Sequence, residues 1–168
     1  MTRSRLKKAA VCSGVLALLA SGIPVAAATT TTNLGVKALV NGACTVGVAG
    51  DLDFGPVSVT SVLDVDQTTL INVNCVSATP FNVSADGGST ANVAARKLSN
   101  GPSLIAYQLY TNAARTTVFG DGTSGSQTVA GTGTGIAQST TVYGRIAGSR
   151  AGATPGNYSD TVIITVSY

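Results

Sequence analysis

The residues of this chain best equipped for chemistry are two cysteines, Cys44 and Cys75, and two aspartate pairs, Asp51/Asp53 and Asp64/Asp66. Around them the inventory is poor. The 168 residues include no His, no Glu and no Trp, and all seven acidic residues are Asp. Without an imidazole, neither a Ser-His-Asp nor a Cys-His relay can be assembled. A carboxylate acid–base pair would have to be drawn from scattered Asp side chains. The two Asp pairs carry the hard oxygen donors that calcium takes, but the EF-hand spacing is absent, and Asp is common in turns for backbone reasons. The run "GTGTG" at 131–135 has the glycines of a phosphate-binding loop, yet neither a following Lys-Ser/Thr nor a helix to cradle the anion, and reads as a flexible loop. No enzymatic activity, metal, cofactor or small-molecule substrate is therefore expected.

The cysteines point to a compartment. Arg3, Arg5, Lys7 and Lys8 precede an apolar stretch from Ala9 to Ala20, and Ala26 and Ala28 make an A-x-A cleavage site. Residues 1–28 thus read as a signal peptide, leaving 168 − 28 = 140 residues for export. Four of the ten basic residues go with it, so the exported part balances six cations against seven Asp, a net −1. That charge offers nothing to nucleic acid. Cys12 leaves too, and the remaining pair in an oxidising compartment favours one Cys44–Cys75 disulfide, worth about 3–4 kcal/mol for a loop of about thirty residues in the chain-entropy model.

Elements that could hold these residues are all extended. Gly, Thr, Ser, Val and Ala dominate, no segment has a 3.6-residue period, and turn chemistry recurs at Asp86-Gly87, Asn100-Gly101, Gly120-Asp121 and Pro155-Gly156. Strands are expected near 34–40, 43–48, 52–59, 68–76, 81–85, 104–110, 116–119, 127–129, 139–146 and 161–168, a single antiparallel β-sandwich. The first and last have matching alternation. Leu34, Val36, Ala38 and Val40 share one face, against Lys37 on the other; Val162, Ile164, Val166 and Tyr168 share one face of a strand that runs to the final residue. Tyr107, Tyr110 and Tyr143 read as packing aromatics.

Several segments carry a family likeness. "GACTV", "LDFG" and "INVNC", then "RKL" at 96–98, "LIAYQLYTNAARTTVFGDGT" from Leu104, "VYGRI" from Val142 and "PGNYSDTVIITVSY" resemble the spore coat protein U domain found in subunits of Csu-type, archaic chaperone–usher pili. The similarity runs from about Leu34 to Tyr168, with Phe119 standing where many relatives carry Trp. The resemblance implies an all-β fold: an incomplete immunoglobulin-like β-sandwich, completed by a donated strand and carrying one disulfide. It implies residues 29–41 as an N-terminal donor-strand arm and 42–168 as the sandwich domain. Leu34, Val36, Ala38 and Val40 would form the donated face. Val162, Ile164, Val166 and Tyr168 would line the acceptor groove and meet the chaperone. Arg115, in "NAARTT", would hold a loop through Asp or carbonyl contacts.

The implied function is a structural pilus subunit serving adhesion and biofilm formation. Its partners would be identical or related subunits, a periplasmic chaperone and an outer-membrane usher, with passage through the periplasm to a cell-surface pilus. Two other readings stand beside it. One is a secreted spore-coat or matrix protein that fills its own groove. The other is a tip adhesin, against which a single domain with an arm argues.

Overall fold

The structure, a computed structural model, describes residues 27–148, 150 and 152–168. Most of the expected signal peptide lies outside the described residues. The chain divides into two units, Met1–Ala38 and Leu39–Tyr168. In the first, residues 27–38 adopt no regular secondary structure, and Leu34 and Val36 are 87% and 84% exposed. The strand expected over 34–40 is therefore not formed. A strand exists through its ladder, and an alternating sequence without a neighbouring edge has nothing to pair with.

Among the described residues the second unit contains nine strands and one 3-10 turn (Gly88–Thr90): β1 Cys44–Val48, β2 Val65–Cys75, β3 Pro80–Ala85, β4 Lys97–Asn100, β5 Ser103–Ala106, β6 Gln108–Tyr110, β7 Val129–Thr132, β8 Gln138–Ile146 and β9 Ile164–Ser167. They form antiparallel sheets in the orders β1-β2-β8-β6, β7-β3-β9 and β4-β5. Alternation decides which face is buried. Ile71, Val73 and Cys75 of β2, with Val142 and Ile146 of β8, turn inward to meet Phe81, Val83 and Ala85 of β3, and Phe119 fills the space between. Each fully buried Val or Ile contributes about 1.5–3 kcal/mol.

Several elements depart from the sequence expectation. Residues 52–59 form no strand; Leu52, Phe54 and Val57 pack on the core as an irregular segment. Gly144 of β8 makes room for two of them, since a Cβ there would lie 2.7 Å from Leu52 and 3.0 Å from Phe54. The strand over 104–110 is split at Tyr107, whose N–H donates to the Arg96 carbonyl, so β5 pairs with β4 and β6 with β8. Residues 116–119 make only isolated bridges, Tyr110 to Val118 and Phe119 to Gln127. The final strand is shorter than expected. The "GTGTG" run is not a free loop either: Gly131 lies in β7, where its missing side chain accommodates the Phe81 ring across the ladder.

Candidate functional site: an open strand edge and its cleft

Strand β9 pairs with β3 on one side, Val83 opposite Val166 and Ala85 opposite Ile164. Just before it, the Asp86 N–H donates to the Ile163 carbonyl at 3.1 Å. Antiparallel ladders alternate between bonded and unbonded pairs. The bonds to β3 therefore fall on Ile163, Thr165 and Ser167, and the main-chain groups of Val162, Ile164 and Val166 point to the other side. Among the described residues nothing pairs with that side. The same three residues send their side chains into the core, where they are half-buried, whereas Ile163 is 62% exposed. Tyr168, past the end of β9, is 64% exposed. Of the four residues expected on one acceptor face, the structure brings three together and leaves Tyr168 largely in solvent.

Across from this edge lies another. Val76 N–H donates to the Ala43 carbonyl and Ala49 N–H to the Leu70 carbonyl, so the odd-numbered residues of β1 bond to β2. Cys44, Val46 and Val48 present their main-chain groups outward. Cys44 is bonded to Cys75 directly opposite, with Cα atoms 4.1 Å apart. Val46 and Val48 stand opposite the buried Val73 and Ile71 and share their face, yet are 42% and 55% exposed. Strands β1 and β9 approach each other without sharing a ladder. Between them lies an opening flanked by the exposed Val46 and Val48 and the half-buried Val162, Ile164 and Val166, over a core that is itself buried.

The opening leads into a cleft of about 490 Å³. One wall is Val48 with residues 50–54; the other is residues 158–162 with Ile164; Ile71, Leu109 and Val142 form the floor. Val162 and Ile164 line it, while Val166 and Tyr168 do not. The contributions of Val46, Val48, Leu52 and Phe54 went unanticipated. Their signal was present, because "CTVGV" and "LDFG" alternate in the same way as the terminal strand.

A buried polar network fixes the start of β9. Arg96 is fully buried. Its Nε donates to the Asp86 carbonyl at 2.9 Å, and its terminal nitrogens donate to the Ala85 and Val93 carbonyls and to Gln108 Oε1. Burial lowers its pKa, with the neighbouring Tyr107, Asp86 and Asp160 acting in the opposite direction. Asp86 Oδ1 accepts the Ile163 and Gly88 amides, both at 2.9 Å. Asp160 accepts the Tyr107 hydroxyl at 2.6 Å and the Ser89 and Thr161 amides. Burial would raise the Asp160 pKa, but these hydrogen bonds outweigh it and hold it below the usual carboxylate range. Burial first, and then the bond to Asp160, raises that of Tyr107.

The second Asp pair is spent on structure. Asp66 and Arg145, partners across β2 and β8, form a two-pronged ion pair at 2.7 and 2.8 Å. Asp64 lies 3.1 Å from the same guanidinium. Arg115 does hold its loop through an Asp and a carbonyl: its Nε sits 3.2 Å from Asp66 and 3.3 Å from the Gly144 oxygen, and its guanidinium lies 5.7 Å from the Tyr143 ring centre. Asp53 Oδ1 caps its own turn by accepting the Gly55 amide. Among the described residues no three potential ligands gather to hold a metal.

Residues 30–165 match the family model of the Spore Coat Protein U domain. The chain belongs to that family. Protein U of Myxococcus xanthus is 33% identical over 180 residues, spanning 97% of this chain and 98% of the relative. Among solved structures, the fold resembles a chain in the CsuC–CsuE chaperone–tip adhesion subunit pre-assembly complex from the archaic chaperone–usher Csu pili of Acinetobacter baumannii. That likeness has a TM-score of 0.55 at 19% identity and covers 77% of this chain, which spans 40% of the length of the other. The P pilus rod subunit PapA gives a TM-score of 0.47 at 19% identity, covering 74% of this chain and 98% of PapA.

Proposed function

We propose that this chain is a structural subunit of a surface pilus, assembled by donor-strand exchange and serving attachment and biofilm formation. The observation that carries the reading is the open edge of β9: unpaired main-chain groups at Val162, Ile164 and Val166 beside a cleft floored by Ile71, Leu109 and Val142. An added strand would satisfy the backbone and cover the apolar surface left on Val48, Val162 and Ile164 together, which is how β-strand addition gains affinity. Left open, the same edge invites aggregation. That is a physical reason for a chaperone, and the likeness to a subunit solved with its chaperone motivates naming a periplasmic chaperone and an outer-membrane usher as partners.

The occupant is the 29–41 arm of another copy, with Leu34, Val36, Ala38 and Val40 turned into the cleft. Burying Leu34, Val36 and Val40 gains about 1.5–3 kcal/mol each. Ordering a free arm costs about 1–2 kcal/mol per residue. The balance becomes favourable through main-chain bonds of about 1 kcal/mol each and through the acceptor's own surface, Val46 and Val48 included.

Deleting residues 29–40 tests the reading. The shortened chain is expected as chaperone-bound or secreted monomers without fibres, and fibres of normal length would defeat it. A second reading, a coat protein that fills its own cleft, takes its motive from the description of the family as a spore coat domain. Gel filtration after refolding separates the two: a stable monomer with a protected N-terminal strand supports the second, and a detergent-resistant ladder that collapses on boiling supports the first.

A further inference from the structure

Alternation fixes which face of an incoming strand is buried but not its register. A slip of two residues keeps every apolar side chain inward and moves the strand by about 6.6–6.8 Å. In the 29–41 arm, Leu34, Val36, Ala38 and Val40 remain an inward set under such a slip, so some other feature must select one alignment. The wall of the cleft at residues 50–54 supplies a candidate. Leu52 and Phe54 are half-buried and pack toward Gly144, while the alternating Asp51 and Asp53 are exposed. The ionisable groups lining the cleft are Asp51, Asp53, Asp160, Tyr107 and Tyr158, with no Lys or Arg. Asp160 is held by Tyr107. Neither Asp51 nor Asp53 forms an ion pair among the described residues.

The arm carries a single charged side chain, Lys37, on the face opposite Leu34, Val36, Ala38 and Val40. With that apolar face buried, Lys37 points outward, as Asp51 and Asp53 do. In a paired ladder such same-face neighbours have Cβ atoms about 4.5–5.5 Å apart. Residues 50–54 join no ladder, but the long Lys side chain reaches across a wider gap to carboxylates that alternate onto the same outer side. We infer that Lys37 from a second copy of this chain pairs with Asp51 and Asp53 at the cleft rim, and that this pairing selects the register of the donated strand. The inference rests on the donor-strand reading above. It adds a specificity: an arm lacking a cation at this position, or an acceptor lacking the rim carboxylates, is a poorer match for this chain than the chain itself.

Charge reversal in the full chain tests it. The Lys37→Glu chain and the Asp51→Lys/Asp53→Lys chain are each expected to assemble about fivefold less well than wild type at low salt, read as boiling-sensitive ladder. The chain carrying all three changes is expected within about twofold of wild type, which also shows that the substituted rim folds. The differences should vanish near 1 M salt, where the screening length falls to about 3 Å. Wild-type assembly by Lys37→Glu at low salt, or failure of the triple reversal to restore it, overturns the inference. A Leu34→Asp/Val36→Asp chain separates the two levels. If it assembles normally, the arm does not fill the cleft and both readings fall; if it fails to assemble while Lys37→Glu is neutral, only the register inference falls.

Discussion

Ile163 and Ile164 are adjacent, identical in chemistry and opposite in environment, which makes them an internally controlled pair. Ile163 is 62% exposed on the outer face, whereas Ile164 is half-buried, packs on the core and lines the cleft. Truncating a fully buried Ile to Ala costs about 2–5 kcal/mol. In the unfilled subunit only part of the Ile164 side chain is covered, so Ile164→Ala should cost about 1–2 kcal/mol, scaled from that range. A strand seated against β9 would cover the remainder, and the cost should then rise toward about 3–4 kcal/mol. Ile163→Ala, on the solvent face, should stay within about 0.5 kcal/mol in both states. Urea unfolding of the purified chain, with and without a saturating peptide of residues 29–41, measures both differences. The reasoning is refuted if the peptide leaves the Ile164→Ala penalty unchanged, or if the Ile163 variant becomes the sensitive one when the peptide is present.

Three further outcomes follow from the packing. Arg96→Met removes a buried cation whose donors satisfy the carbonyls of Ala85, Asp86 and Val93; at about 1–3 kcal/mol for each buried acceptor left unsatisfied it should cost at least about 3 kcal/mol and release the Ile163 amide, read as faster hydrogen exchange there. Replacing both Cys44 and Cys75 by Ala should lower stability by about 3–4 kcal/mol for a sequence separation of 31, and an unchanged urea midpoint would contradict the role assigned to the bridge. The pKa of Asp66 is lowered, chiefly by its bond to Arg145. Its folded value therefore lies below the unfolded one, so its stabilisation is present above the ordinary carboxylate value of 3.8 and is lost as pH falls through the folded value. Asp66→Asn should flatten that acid limb in a pH series of unfolding midpoints, and an acid limb as steep as wild type would refute the assignment.

What the sequence made legible is what periodicity encodes. The strands expected at 43–48, 68–76, 81–85 and 139–146 appear as 44–48, 65–75, 80–85 and 138–146, and these, the inward face of the last strand and the paired cysteines follow from alternation and composition. The strand expected at 34–40 failed for the same reason that it was expected. Alternation reports a face seeking burial, and says nothing of whether a partner edge is present. The segment at 52–59 failed differently, since Leu52 and Phe54 have strand spacing but plug the core opposite Gly144 without joining a ladder. Arg96 gave no local sign of its burial, because its acceptors are backbone carbonyls and a Gln108 side-chain oxygen contributed by residues up to twelve positions away. The cleft wall from Val48 to Phe54 was readable in principle. Its alternation was present, but without the pairing of β1 no one could say which edge it faced.

The division of labour around β9 explains how an edge can be left open without collapsing. Strand edges are normally blunted by charge, proline, bulges or a covering loop. Here, among the described residues, β9 has none of these on its outer side, and its inward residues are apolar. What holds it is concentrated at one end, where Asp86 grips the Ile163 amide, Asp160 grips Thr161, and Arg96 and Tyr107 are buried beneath both. Polar groups with their partners already supplied do not compete for a new strand, whereas the unpaired groups of Val162, Ile164 and Val166 have only water to lose. An arriving strand thus meets an edge already in position, and the ordering entropy of binding falls mainly on the arm. That asymmetry favours an arm short enough to limit its ordering cost and apolar enough on one face to offset it, and the alternation of Leu34, Val36, Ala38 and Val40 meets both demands.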